Sequence, residues 1–449
     1  NRAQKLGIKN TPIKMIVNNA TLNLGIHIDL YGVFSNRSLK IYAFNAKYVK
    51  DSLNEVSEAM LGEKKIETGE LGSTPLYLLG KYCQNDDRLT YKLSSYNNES
   101  VMKLLILLCR IANMPIDEIS RKSISHWIKS MFYFRHRQDG DLIPRSDEFP
   151  EIESHTKAVS KDKKYHGAIV LEPKSGIHFD VTVMDFASLY PSIIKTKNIS
   201  YETIRCSHEE CKSNRIPETE HWACTKKNGV ASLLIGSLKE LRVNHFKQLS
   251  KIEGPMQDQY DMITQALKVF LNASYGVMGF EKFALYYLPA AECITAVGRY
   301  VIMDTAKKAG EIGMEIVGGD TDSLFMKNPS TEQISTLIKY AGEKYDIDLE
   351  VDKEYKYLVL SGRKKNYFAV GRKNDLVIKG LTGKKSNTPI FIKDLFSSIL
   401  EELKKIEKPE DFVEVINATA DTVAKNTPIS AAMQDNYILP LRRYLSTIY

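Results

Sequence analysis

Residues 315–329, EIVGGDTDSLFMKNP, place two carboxylates two positions apart between apolar runs. Met314, Ile316 and Val317 read as a buried strand, and Leu324, Phe325 and Met326 read as its return. Gly318 and Gly319 permit a tight approach, so the segment predicts a hairpin. Side chains alternate faces along an extended chain, which puts Asp320 and Asp322 on one side. Two carboxylates on one face repel unless a positive charge lies between them, and a divalent cation is the usual answer. An ordinary acidic turn is the competing reading, so partners elsewhere must decide.

The partner carboxylate lies in VTVMDFASLYPSII, residues 181–194. Val181 and Val183 make a buried strand that ends at Asp185, and Ser-Leu-Tyr-Pro then turns the chain into a helix. An acid ending a buried strand is costly without a cation or a donor, unless it caps the helix. In QALKVFLNASYG, residues 265–276, Lys268, Asn272 and Tyr275 fall at i, i+4 and i+7 and share one helical face. A cation, an amide and an aromatic there suit a nucleotide: phosphate, sugar or base edge, and ring. Arg242 stands upstream in SLKELRVNHFK. Arg363, Lys364, Lys365 and Tyr367 in SGRKKNYFAV interleave charge with an aromatic, as a nucleic-acid backbone would require. Each basic segment taken alone also fits a solvated surface.

The chain has 449 residues, room for about two to four domains. Its hydrophobic content of 43% supports large cores, and a net charge of +7 is compatible with a nucleic-acid partner. The most apolar run, LLILLC, sits between Lys103 and Arg110 and is too short to span a bilayer. No signal peptide opens the chain, and NRAQKLGIKN has no initiator Met, so a fragment is expected. Of six cysteines, Cys83, Cys109 and Cys293 are scattered while Cys206, Cys211 and Cys224 cluster, which suits a reducing cytoplasm and one metal site. With His208 and His221 the cluster offers five candidates for the four positions of tetrahedral Zn²⁺. Free thiols and surface histidines in a loop are the alternative.

Along the chain, HIDLYGVF and LKIYAF read as short strands and SVMKLLILLCRIANM as a helix. The polar, aperiodic residues 136–164 read as a linker. Strands follow in HGAIVLEP and FDVTVMDFASLY, helices over 232–280, the hairpin, and strands in EYKYLVLSGRKKNYFAV. FIKDLFSSILEELKKI is an amphipathic helix.

The order DFASLYPSII, KVFLNASYG, GGDTDS, KKNYF resembles motifs A, B and C and the Lys-Lys-rich motif of family B DNA polymerases. The likeness is to the archaeal, crenarchaeal-type replicative branch. KYHGAIV resembles the family's Tyr-x-Gly-Gly/Ala element, at Tyr165, Gly167 and Ala168. YCQNDDRLT resembles its third exonuclease motif, at Tyr82 and Asp86. The first exonuclease motif, with its Asp-x-Glu pair, and the second are absent. The resemblance therefore implies an N-terminally incomplete chain whose proofreading site is incomplete. It implies an α+β multidomain, right-hand polymerase fold of palm, fingers and thumb with a partial RNase H-like 3′–5′ exonuclease domain. The expected limits are 1–150 for partial exonuclease domain and linker, 151–225 for the first part of the palm and 226–280 for the fingers. The second part of the palm is expected over 281–388 and a truncated thumb over 389–449. One departure is Gly318, where motif C usually has Tyr; a change in primer-end packing is expected there.

The resemblance also implies template-directed DNA synthesis with two Mg²⁺ ions, for which Mn²⁺ can substitute. Asp185, Asp322 and the Phe186 carbonyl would hold them, with Asp320 as a secondary acid and Glu350 as a further one. Ser188, Leu189, Tyr190, Arg242, Lys268, Asn272 and Tyr275 would bind the deoxynucleoside triphosphate, Tyr190 as the steric gate against ribose. Phe246 stands where the family often has a second Lys, a role Lys247 would take over. Tyr165, Gly167, Lys364, Lys365, Tyr367 and Lys379 would hold primer–template DNA. A sliding clamp and an N-terminal segment are implied partners, in the cytoplasm at the nucleoid, with no membrane. The alternatives are a catalytically inactive, polymerase-like DNA-binding protein, against which both motif acids argue, and an RNA-making enzyme, against which Tyr190 argues. A nuclease-only reading lacks two of its three motifs.

Overall fold

The computed structural model describes residues 13–16, 19–22, 25–67, 69, 72–145, 148, 166–381, 388, 390–411, 413–415 and 417. The chain divides into two compact units, each built from non-contiguous segments. The first comprises residues 1–155, 190–216 and 220–294; the second comprises 156–189, 217–219 and 295–449.

The first unit is mainly helical among its described residues. It opens with a hairpin of β1 (Ile13–Ile16) and β2 (Asn19–Leu22). Then come α1 (Leu30–Ser35), a π-helical turn (Leu39–Ala43), α2 (Leu53–Leu61), α3 (Leu76–Ser94), α4 (Tyr96–Ala112), α5 (Ile116–Arg121) and α6 (Ile124–Asp139). The strands expected at 27–34 and 39–44 are thus helical. Asp29 caps α1 by accepting from the Gly32 N–H, and Val33, Phe34 and Leu39 are buried from helical positions. Local β-propensity yields here to capping and packing. An RNase H-like sheet is not found among the described residues of this segment.

The unit continues with α7 (Leu189–Thr196), α8 (Val230–Glu240), a π-helical stretch (Leu241–Phe246) and α9 (Gln257–Met278), the helices expected over 232–280. One face of α9 buries Leu267, Phe270, Leu271 and Ser274 against α4, α6 and α8. The Phe270 ring lies 6.1 Å from that of Trp127. α10 (Leu288–Glu311) leads out of this unit.

The second unit is a seven-stranded antiparallel sheet in the order β3-β5-β6-β4-β7-β8-β9. Its strands are β3 (Val170–Leu171), β4 (Gly176–Phe186), β5 (Glu315–Asp320), β6 (Ser323–Lys327), β7 (Leu349–Leu360), β8 (Tyr367–Gly371) and β9 (Leu376–Lys379). β4 is central, and Val181 through Met184 are all buried, as in a strand covered on both faces. Val181, Val183, Val317, Phe325 and Leu358 pack together in one cluster. Tyr357 and Val370 pack instead against Leu400 and Leu403 of α12 (Ile390–Leu403), the expected amphipathic helix. α11 (Thr331–Tyr345) starts with a capping box between Ser330 and Gln333. Tyr165, most of the expected linker and the expected thumb beyond residue 417 lie outside the described residues.

Candidate active site

Strand pairing in the second unit gathers the acids. Asp185 is opposite Ser323 on β6 and opposite Glu350 on β7, while Asp320 is opposite Ser323 from β5. Cross-strand partners share a face, so Asp320, Asp185 and Glu350 form a row across four adjacent strands. The ladder continues one step beyond: the Phe186 N–H donates to the Asp322 carbonyl at 2.9 Å. Ala187 does the same to Asp348 at 2.9 Å. Asp322 is thereby fixed beside the end of β4.

The expected hairpin forms, but Asp320 and Asp322 do not come together by strand alternation. β5 ends at Asp320, Thr321 turns with φ +59°, and the Asp322 N–H donates back to the Asp320 carbonyl at 2.6 Å. Ser188 (φ +53°) and Lys365 (φ +59°) also have positive φ, as do residues elsewhere in the chain. Gly319 is required by close approach, since an added Cβ would lie 2.8 Å from the Ser323 carbonyl oxygen.

Burial, and next the Asp320 carboxylate, push the Asp322 carboxyl up to about 6. Lys365 acts in the opposite direction, and its Nζ lies 2.9 Å from Asp320 Oδ1. That pair is what sequence reasoning missed: Lys365 was assigned to DNA phosphates, and no local pattern relates it to an acid in another strand. Lys364 is paired with Glu172 at 2.7 Å, on the surface. Tyr367 is buried rather than presented, its ring edge-on to Phe325 at 5.5 Å, and burial pushes its hydroxyl up to about 12. Lys379 is opposite Tyr367 on β9. The carbonyls of His166 and Gly167 accept from Arg299 Nη1 at 2.8 and 3.0 Å, which holds the Tyr-x-Gly element from one side.

In the first unit, Lys268, Asn272 and Tyr275 lie on α9 with their predicted spacing, Asn272 exposed. The Lys268 ammonium lies 5.2 Å from the Tyr42 ring centroid. Tyr190 on α7 packs its ring 4.5 Å from Tyr275. Arg242 lies in the π-helical stretch, with Phe246 and Lys247 following it. Tyr82 and Asp86 are one turn apart on α3, and both bind Lys65, whose Nζ is 2.5 Å from the Tyr82 hydroxyl and 2.7 Å from Asp86 Oδ2.

Of the five Cys and His candidates, four converge: Cys206 Sγ, Cys211 Sγ, Cys224 Sγ and one His208 ring nitrogen lie within 4.8 Å of one another. The Thr225 hydroxyl and N–H hold the Cys211 thiol down near 6, whereas burial pushes Cys206 up to about 11. His221 is not among them. Its Nε2 is 2.9 Å from Glu292 Oε2, and both side chains are fully buried.

Comparison with known proteins gives the family. The model of DNA polymerase family B matches residues 122–445. DNA polymerase 1 of Sulfolobus acidocaldarius is 42% identical over 90% of this chain and 47% of that protein. DNA polymerase 1 of Aeropyrum pernix is 41% identical over 94% of this chain and 45% of that protein. The solved family B DNA polymerase of Pyrobaculum calidifontis aligns with a TM-score of 0.63 at 26% identity, over 94% of this chain and 55% of that one. The chain spans about half the length of the curated relatives it matches. No described helix is long and apolar enough to cross a membrane. A family match over most of the chain establishes that the chain belongs to DNA polymerase family B.

Proposed function

We propose that this chain carries the synthesis site of a DNA-directed DNA polymerase, extending a primer 3′ end with deoxynucleotides by phosphoryl transfer. The observation that carries the reading is the β4–β6 pairing, which sets Asp322 beside the end of β4 where Asp185 stands. The donors fit hard divalent cations: carboxylates, with the Phe186 carbonyl between them in sequence. Burial, and to a smaller extent the Asp320 carboxylate, raise the Asp322 carboxyl, and a bound cation would offset both. Two Mg²⁺ or Mn²⁺ ions, when bound, supply charge neutralisation and lower the pKa of the primer hydroxyl. Asp185, Asp322 and the Phe186 carbonyl would hold them. Asp320 stays with Lys365 as an outer acid, and Glu350 adds charge from the next strand.

Lys268 and Arg242 neutralise the triphosphate, Asn272 contacts the nucleotide, and the Ser188–Leu189 turn borders it. Tyr190, braced by Tyr275, rejects a 2′-hydroxyl by contact. Lys364, Lys365 and Lys379, with Gly167 and Tyr165, hold the DNA backbone without reading sequence; Tyr367 acts beneath them as packing. In the same reading the palm takes 151–225 and 281–388, the fingers 226–280 and the thumb 389–449, behind a partial exonuclease domain. The chain works at the nucleoid in the cytoplasm, with a sliding clamp as partner. Primer extension with deoxynucleotides and Mg²⁺ tests this. Asp322→Ala lowers the rate by about three orders of magnitude or more while leaving DNA affinity within a few-fold. Full activity in that variant overturns the assignment.

A further inference from the structure

We propose that Cys206, His208, Cys211 and Cys224 form a Cys₃His site for one structural Zn²⁺, with His221 excluded. Tetrahedral zinc with Zn–S near 2.3 Å and Zn–N near 2.05 Å has S···N edges of about 3.6 Å and S···S edges of about 3.8 Å. Cys224 Sγ lies 3.5 Å from His208 Nδ1, already at that edge length. The remaining separations, all within 4.8 Å, need to contract by at most about 1 Å. A thiol–imidazole hydrogen bond alone would explain the first distance. It would not explain why two further sulfurs close on the same point.

Two of the sulfurs have backbone donors aimed at them. The Thr225 N–H donates to Cys211 Sγ at 3.3 Å, and the Lys226 N–H donates to Cys224 Sγ at 3.4 Å. Such donors orient ligand sulfurs and spread their charge. All three cysteines are buried and packed together, with Trp222 against them. His221 is committed elsewhere, to Glu292.

The topology says what the metal would staple. Cys206, His208 and Cys211 lie on one limb of the loop between α7 and α8, and Cys224 lies on the other. Single bridges join the limbs at Ile204–Ala223 and Arg215–Trp222. Asn198, just after α7, donates its amide to the Cys224 and Lys227 carbonyls at 2.9 and 2.8 Å. Its Oδ1 accepts the Gly229 N–H, at the start of α8, at 2.8 Å. Zinc would therefore lock the limb that fixes the entry to α8. The inference is independent of the polymerase reading, because metal content is read without activity.

The test is elemental analysis of the full chain purified without chelator. The expected content is about one zinc per chain, with three additional thiols becoming reactive when a strong chelator removes it. Co²⁺ exchanged into the site should give the visible bands of a tetrahedral ion and thiolate-to-cobalt charge transfer. Cys211→Ser and His208→Gln should lose most of the zinc, and His221→Gln should keep it. Zinc near zero in the wild-type chain overturns the site, whether the cysteines prove freely reactive or joined by a disulfide. Retention by His208→Gln with loss by His221→Gln overturns the ligand set. The wild-type measurements stand even if a variant fails to fold.

Discussion

At Asp322, burial and the neighbouring Asp320 carboxylate raise the carboxyl from an ordinary 3.8 to about 6, so ionising it costs the folded protein. The sign follows from linkage. Below pH ~4 the group is protonated folded and unfolded, and it contributes no difference. Between pH ~4 and ~6 the unfolded chain ionises first, and the fold loses up to about 3 kcal/mol that stays lost at higher pH. Asp322→Asn removes this slope. In chelator, its stability advantage over wild type should grow across that window in urea unfolding and level off above it. A constant difference from pH 4 to 7 would contradict the raised carboxyl. Lys365 works on the same balance from the Asp320 side.

Elements bring such residues within reach. The β5–β6 hairpin is a tight passage, because Gly319 lies where a Cβ would meet the Ser323 carbonyl oxygen at 2.8 Å and Leu171 at 3.1 Å. Gly319→Ala must shift backbone and should cost about 1–3 kcal/mol. Gly342, exposed within α11, has nothing within 4 Å of its added Cβ. Gly342→Ala should instead add about 0.5–1 kcal/mol. Denaturant midpoints measure both, and equal effects of one sign would refute the packing argument. The hairpin was legible from GGDTDS between apolar runs, and α9 from its helical repeat. The helices at 30–35 and 39–43 were not, because six to eight residues rich in Tyr, Phe and Ile fit a strand until Asp29 and the surrounding helices act on them.

On the scale of the whole chain, the question is whether it also digests DNA. Hydrolysis by two hard cations needs carboxylates open to them. Asp86 is instead held by Lys65, both side chains about three-quarters buried, with Tyr82 on the same ammonium. The 449-residue chain should release no 3′ nucleotides from a labelled single strand in Mg²⁺ or Mn²⁺. Digestion that Asp86→Ala abolishes would show that the Lys65 pair opens to admit metal.

The sequence by itself determined what lies within single short segments: acids at strand ends, three side chains on one face of α9, and thiols and histidines gathered in one loop. Each follows from local periodicity or short spacing, which a linear chain encodes directly. The tertiary structure alone decided which strands adjoin, and so that Asp185 stands between β6 and β7. It also decided that Lys365 meets Asp320, that Lys65 closes on Asp86, and that His221 pairs with Glu292 across 71 residues rather than joining the cysteines. Those pairs depend on long loop closures and on how every buried polar group finds a partner, and no local pattern carries that information.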